Sequence, residues 1–219
     1  MITALQLIFS PFETWEKITN AQRGFWWALL VHLLPLLILA LGIEGYLLTR
    51  WGEKRDFGLI VKLPILQAAR YAGAYFVLLL AAVLVAAKFL QLASESLTIR
   101  TTYTQTFVLM AYGFSPIILA RILDGFPQIN GWVCWGIGAL ASISILYHGV
   151  GMVLRPEQTK GFGMYLLSIL IVVVVSALAH FAATSVLHGK VLRSLDNSAQ
   201  SSTSFETGHA AVKGVLFPA

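Results

Sequence analysis

Five long apolar stretches decide the solvent of this chain before any motif is read: Phe25 to Leu48, Ala72 to Ala93, Gln105 to Leu123, Gly131 to Leu154 and Met164 to Leu187. Each is close to the roughly 20 residues an α-helix needs to cross about 30 Å of hydrocarbon. Inside lipid the backbone amides must bond to one another, so separate apolar runs with polar connectors predict five helices rather than an open sheet. The expected fold class is all-α, a polytopic membrane protein of five transmembrane helices with an interfacial amphipathic N-terminal helix. Its expected organisation is an arm over 1–24, a five-helix membrane domain over 25–187 and a polar, flexible C-terminal tail over 188–219.

Composition leads to the same place. The chain is 58% hydrophobic and 11% charged, where an average soluble domain has about 25% charged residues. The formal net charge of +5 does not point to nucleic acid, because the basic residues are scattered among connectors and helix ends; anionic lipid headgroups are the expected partner. Cys134 is the one cysteine, which excludes an intrachain disulfide and a cysteine metal cluster.

The first 24 residues do not read as a secretory signal, since Glu13 and Glu16 precede an apolar run that is too long for one. They read instead as a short surface helix. Ser10 is the expected N-cap, Pro11 the first helical residue and Glu13 the return arm of a capping box. Phe12, Trp15 and Thr19 share a face that either lies in the membrane interface or packs on the bundle. The connector after the first run is the most basic, with Arg50, Lys54, Arg55, Lys62 and Arg70 around the apolar patch Phe57 to Leu63, and Pro64 is placed to begin the second helix. Ser194 to Gly208 has the composition of disorder, and the apolar Ala210 to Ala219 reads as a docking segment or an appended end.

Counting Lys and Arg on each side favours the end holding that basic connector, Lys190 and Arg193 as cytoplasmic. The other side carries Lys17, Arg23, Arg100, Arg155 and Lys160. The margin is small.

Few residues carry chemistry. In the third run, Tyr112, Ser115 and Pro116 form a helix kink and a candidate recognition notch: Pro116 has no N–H for the Tyr112 carbonyl, and Ser115 can help to repair the ladder. The competing reading is a kink that serves packing alone. In the fourth run, Gly138, Ser142 and Gly149 return to nearly one helical face, where small residues let another backbone come close. Tyr147, His148 and His180 are candidate polar contacts. The two histidines lack the further ligands that a metal or catalytic site needs. Glu44, Lys88, Arg121 and Asp124 lie near run ends and are expected to snorkel to headgroups and water. Arg121 and Asp124, three apart, are placed to pair. His32 before Pro35 reads as a packing and kink feature.

The order of FSPFETWEKI in the arm, AYGFSP in the third run, YHGVG in the fourth and KGFGMY at the start of the fifth resembles bacterial members of the Yip domain family of integral membrane proteins, over roughly residues 7 to 187. The strongest segment is Met110 to Pro156. The resemblance implies a five-helix bundle and, in eukaryotic relatives, vesicle traffic through prenylated Rab-type GTPases and partner membrane proteins. Those relatives carry a long acidic, aromatic N-terminal cytoplasmic region that is not found here ahead of the spans, which puts GTPase binding in doubt. Their cytoplasmic N-terminus also opposes the charge count, so orientation stays open. A bacterial setting implies the plasma (inner) membrane.

Three functions remain in play. The first is a non-enzymatic scaffold or interaction partner for other membrane proteins, for further copies of itself or for lipid organisation, with no catalytic residue, cofactor or metal. The alternative is a small transporter or channel subunit with a midplane polar site at the kinked third helix. A lipid-modifying enzyme ranks last, because no nucleophile elbow, HExxH or phosphate-cradling glycine loop is present. A dry core favours the first; a water-filled cavity lined by Tyr112, Ser115 and His148 favours the second.

Overall fold

The computed structural model describes residues 2–21, 24–54, 60–62, 64–97, 99–126 and 128–187. The expected flexible tail, its apolar end and most of the Phe57 to Leu63 patch lie outside the described residues. Five helices are long and apolar enough to span a bilayer: Phe25–Arg50, Ile65–Ser96, Tyr103–Asp124, Gly131–Leu154 and Thr159–Ser185. Each expected apolar run falls within one of them, give or take two residues at the chain's last helix. The second helix outruns its oily stretch at both ends, because Pro64 supplies an extended N-cap and backbone bonding continues to Ser96. The protein is thus an all-α polytopic integral membrane protein.

Contacts divide the chain after His180 into Met1–His180 and Phe181–Ala219. In the second unit the described residues continue the helix to Leu187, with the Thr184 and Ser185 hydroxyls both donating to the Phe181 carbonyl at 2.9 Å. In the first unit the third span is the axis: 83% of its apolar window is buried, against 39%, 33% and 44% for the first, second and fourth. A helix that is apolar on every side belongs in the middle.

Local chemistry sets the ends of these helices. Thr102 and Gln105 close a reciprocal capping box at the start of the third span, and Asn130 Oδ1 accepts from Trp132 N–H at 2.9 Å at the start of the fourth. The third span breaks at Phe114, so that Tyr103–Gly113 and Ser115–Asp124 are separate helical halves. Pro116 has no N–H to carry the ladder across that point. The first span contains a π turn, Ala28–Leu33, just ahead of Pro35, and the fourth ends in another, Val150–Leu154.

The arm forms two helices, α1 (Ile2–Phe9) and α2 (Pro11–Asn20). Ser10 and Pro11 stand where expected, but the capping box with Glu13 does not form. The backbone explains this: Ser10 N–H is already given to the Gln6 carbonyl at 2.7 Å, which leaves Glu13 nothing to accept. The buried face is Ala4, Leu7, Thr14, Trp15 and Ile18, whereas Phe12 is 59% exposed. The arm's apolar face is therefore taken by the bundle. After the first span, Gly52 at φ 82° leads into a two-residue antiparallel ladder, β1 (Glu53–Lys54) with β2 (Ile60–Val61).

Alternating spans place the arm and the second and fourth connectors at one end, called here the arm end, and the first and third connectors at the opposite end. Exposed aromatics mark both levels, as membrane interfaces favour: Trp26 and Phe162 at the arm end, Trp51 and Trp132 at the other.

Candidate functional site

Two polar clusters are buried in the bundle, one near the end opposite the arm and one at the middle of the third span. The first is charged and lies opposite the arm. Glu44 is six residues before the end of the first span, about 9 Å along the helix, and Arg121 is three before the end of the third. Both spans run in the same direction, so the two charges come to similar depth. Arg121 is 0% and Glu44 2% exposed.

The arginine is the hub of their bonding. Arg121 Nη2 donates to Glu44 Oε1 at 2.7 Å and to the Tyr71 hydroxyl at 2.8 Å, and Nε donates to Glu44 Oε2 at 3.4 Å. Nη1 meets Asp124 Oδ2 at 2.6 Å and His180 Nδ1 at 2.9 Å. A guanidinium has five N–H groups; Arg121 makes four hydrogen bonds, to Glu44, Tyr71 and His180, and an ion pair with Asp124. Tyr71 in turn donates to Glu44 Oε1 at 2.9 Å. The face of Arg121 lies over the Tyr75 ring, 4.4 Å from its centroid, a cation–π contact. The His180 ring stands edge-on to Trp132 at 4.6 Å. Since Arg121 can only donate, His180 Nδ1 accepts and its proton sits on Nε2.

One cation therefore faces two carboxylates among side chains from the first, second, third and fifth spans. The expected snorkelling of Glu44 and Arg121 is overturned, because their faces turn inward and protein ligands meet them there. Asp124 keeps 16% of its side chain exposed, and its expected pairing with Arg121 is present. Lys88 does lie on the exposed surface, bonded to Gln91 Oε1 at 3.1 Å. Tyr75 carried no signal beyond its place in a transmembrane run, and Tyr71 stands immediately ahead of that run. The Glu44 and Arg121 pairing did carry one: opposite charges near the same ends of two odd-numbered spans.

The second cluster is neutral and surrounds the break in the third span. Ser115 Oγ donates to the Ala111 carbonyl at 3.1 Å, one turn back, and so accepts from His32 Nε2 at 2.9 Å. The His32 ring lies on Tyr112 with centroids 4.0 Å apart. On the arm, Trp15 meets Tyr112 edge to face at 5.7 Å, and its Nε1–H donates to the Ile145 carbonyl at 3.0 Å. Tyr112, Ser115 and Trp15 are all 0% exposed. The notch is filled by the chain's own His32 and Trp15.

The small residues of the fourth span serve both clusters. A Cβ on Gly138 would sit 2.7 Å from Ile117 Cα, and one on Gly149 2.5 Å from the Trp15 ring. The first permits backbone contact with the lower half of the third span, and the second makes room for the arm. Ser142 is buried between them in sequence, and its Oγ finds no hydrogen-bond partner among the described residues. Tyr147 is 63% exposed and stacks edge-on with His148 and Tyr165. His148 Nδ1 faces the Ser144 carbonyl of its own helix at 3.1 Å. His148 and His180 do not meet, since they stand near opposite ends of the bundle. No group of three or more His, Cys, Asp or Glu placed to hold a metal ion occurs among the described residues.

Residues 5–191 match the family model described as the Yip1 domain. No curated protein and no solved structure matches the chain.

Proposed function

The chain belongs to the Yip1 domain family, and from that premise we propose that it is a non-enzymatic membrane scaffold, an interaction partner for other membrane proteins or for lipid organisation. The observation that carries the reading is the enclosure of Arg121, which is hydrogen-bonded to Glu44, Tyr71 and His180 and paired with Asp124. The strongest charge in the interior holds helices to one another. A bundle pinned in this way is a rigid platform, and the lipid-facing residues of its spans are the surface it offers. The resemblance of residues 7 to 187 to bacterial relatives supports a bacterial plasma membrane as the setting.

Photo-crosslinking in native membranes, from exposed positions such as Leu140 on the fourth span and Val77 on the second, followed by mass spectrometry tests this. The expected result is a small, reproducible set of membrane-protein neighbours, which includes a second copy if the chain self-associates. Solute uptake into proteoliposomes that disappears with Glu44→Gln, without loss of folded protein, would overturn it in favour of transport.

A further inference from the structure

At the arm end, a cavity of about 390 Å³ opens between α2, the entry to the first span, the first turns of the third span and the end of the fourth. That volume is in the range of roughly 300–1,000 Å³ typical of small-molecule sites. Its walls are divided by chemistry. Ile18, Val108, Met152, Val153 and Leu154 give it an apolar side. Thr19, Thr104, Gln105 and Arg155 give it hydroxyl, amide and guanidinium groups. Asp and Glu are absent from its described lining.

Position decides what kind of molecule such a cavity meets. It sits where spans end, level with the exposed ring of Trp26 near the first span's start, which is the depth of phospholipid headgroups. Arg155 closes the π turn of the fourth span with φ 44°, and it is the one non-glycine residue with positive φ among those described. Its side chain is exposed, so its charge is not consumed in the interior as that of Arg121 is. A free anion would use the polar wall and leave the apolar wall wet. An anionic amphiphile uses both.

We propose that this cavity binds one anionic glycerophospholipid, with its phosphate at Arg155, Thr104 and Gln105 and the start of an acyl chain against Ile18, Val108 and Met152. The lipid then joins the arm to the third and fourth spans. This site stands whether or not the scaffold reading holds, because it concerns lipid at one place on the chain and not a protein neighbour.

Native mass spectrometry of the full chain, released from nanodiscs of phosphatidylglycerol or phosphatidylcholine, tests it. The expected result is one retained phosphatidylglycerol, favoured about fivefold over phosphatidylcholine, as one interfacial arginine provides. Arg155→Ala should remove that preference and Arg155→Lys should keep most of it. Thr104→Trp, which fills the cavity from a half-buried position, should abolish retention of both lipids. Arg100→Ala, exposed at the same end but outside the lining, should change nothing. Unfolding temperatures in detergent equal to the parent's confirm that each variant is folded. Equal retention of the two lipids by the parent, or unchanged retention in folded Arg155→Ala and Thr104→Trp, overturns the proposal. Displacement of phosphatidylglycerol by millimolar inorganic phosphate alone also overturns it, since the site would then be one for small anions.

Discussion

The two buried clusters solve different problems with different forces. Opposite the arm, Arg121, Glu44 and Asp124 bring formal charge into the bundle, which is tolerable because the guanidinium is hydrogen-bonded to Glu44, Tyr71 and His180 and paired with Asp124. At the middle of the third span, Tyr112, His32, Ser115 and Trp15 hold together through ring contacts and neutral hydrogen bonds. The charged cluster ties spans to spans, and the neutral one ties the arm to the spans. Interior charge fixes a topology at high cost if broken, whereas aromatic packing fixes an appendage whose release is expected to leave the bundle standing.

The largest expected effect tests the first half of that contrast. Arg121→Ala leaves Glu44 buried and Asp124 half-buried without their cation and should destabilise the bundle by about 3–5 kcal/mol, read as a lower unfolding temperature in detergent. Arg121→Lys should recover little, since an ammonium has three donors against five and no planar fork. An Arg121→Ala protein as stable as the parent would show that the cluster is decoration and would remove the distinction between the two clusters.

Trp15→Ala comes next. It deletes a fully buried indole, its bond to the Ile145 carbonyl and its contact with Tyr112, a loss of about 3 kcal/mol for an aromatic truncated in a core. The loss should be local. Limited proteolysis should cut within α1 and α2, while the spans keep their protection and their unfolding temperature. Global unfolding in step with arm release would mean that the arm is as integral as Arg121.

Gly138→Leu presses on the junction between the clusters. Its Cβ would lie 2.7 Å from Ile117 Cα, and backbone cannot swing aside as a side chain can, so overpacking should cost about 1–3 kcal/mol. Thermal unfolding reads it, and an unchanged value would place that face of the fourth span away from the third.

What the residues alone disclosed follows the same division. The spans were legible because hydrocarbon demands long apolar helices, and Pro64, Pro116 and the Gly138 face were legible because each imposes a local backbone consequence. The fate of Glu44 and Arg121 was not. Distance from a helix end permits either snorkelling or inward pairing, and only the rotation of each helix about its axis decides between them. Tyr71 was silent for the same reason, as was the arm's choice of the bundle over lipid. The Ser10 and Glu13 capping box was misread because α1 runs directly into α2 and takes the Ser10 amide, a contact visible only once both helices are present.

The smallest effects sharpen the neutral cluster itself. Pro116→Ala restores an N–H that can reach the Tyr112 carbonyl, which favours continuous helix through Phe114 and shifts Ser115 relative to His32. The cost is set by one neutral hydrogen bond between side chains, about 1 kcal/mol, and should appear as faster proteolysis of the arm with little change in the spans. His148→Ala should stay within about 0.5 kcal/mol of the parent, since that ring is half-buried and, among the described residues, faces the Ser144 carbonyl of its own helix and the edge of Tyr147. The pair of variants separates two meanings of the break. If Pro116→Ala frees the arm and His148→Ala does not, the break exists to seat Trp15 and His32. If both leave the arm protected, the ring contacts hold it without help from the bend, and Trp15 alone carries the docking.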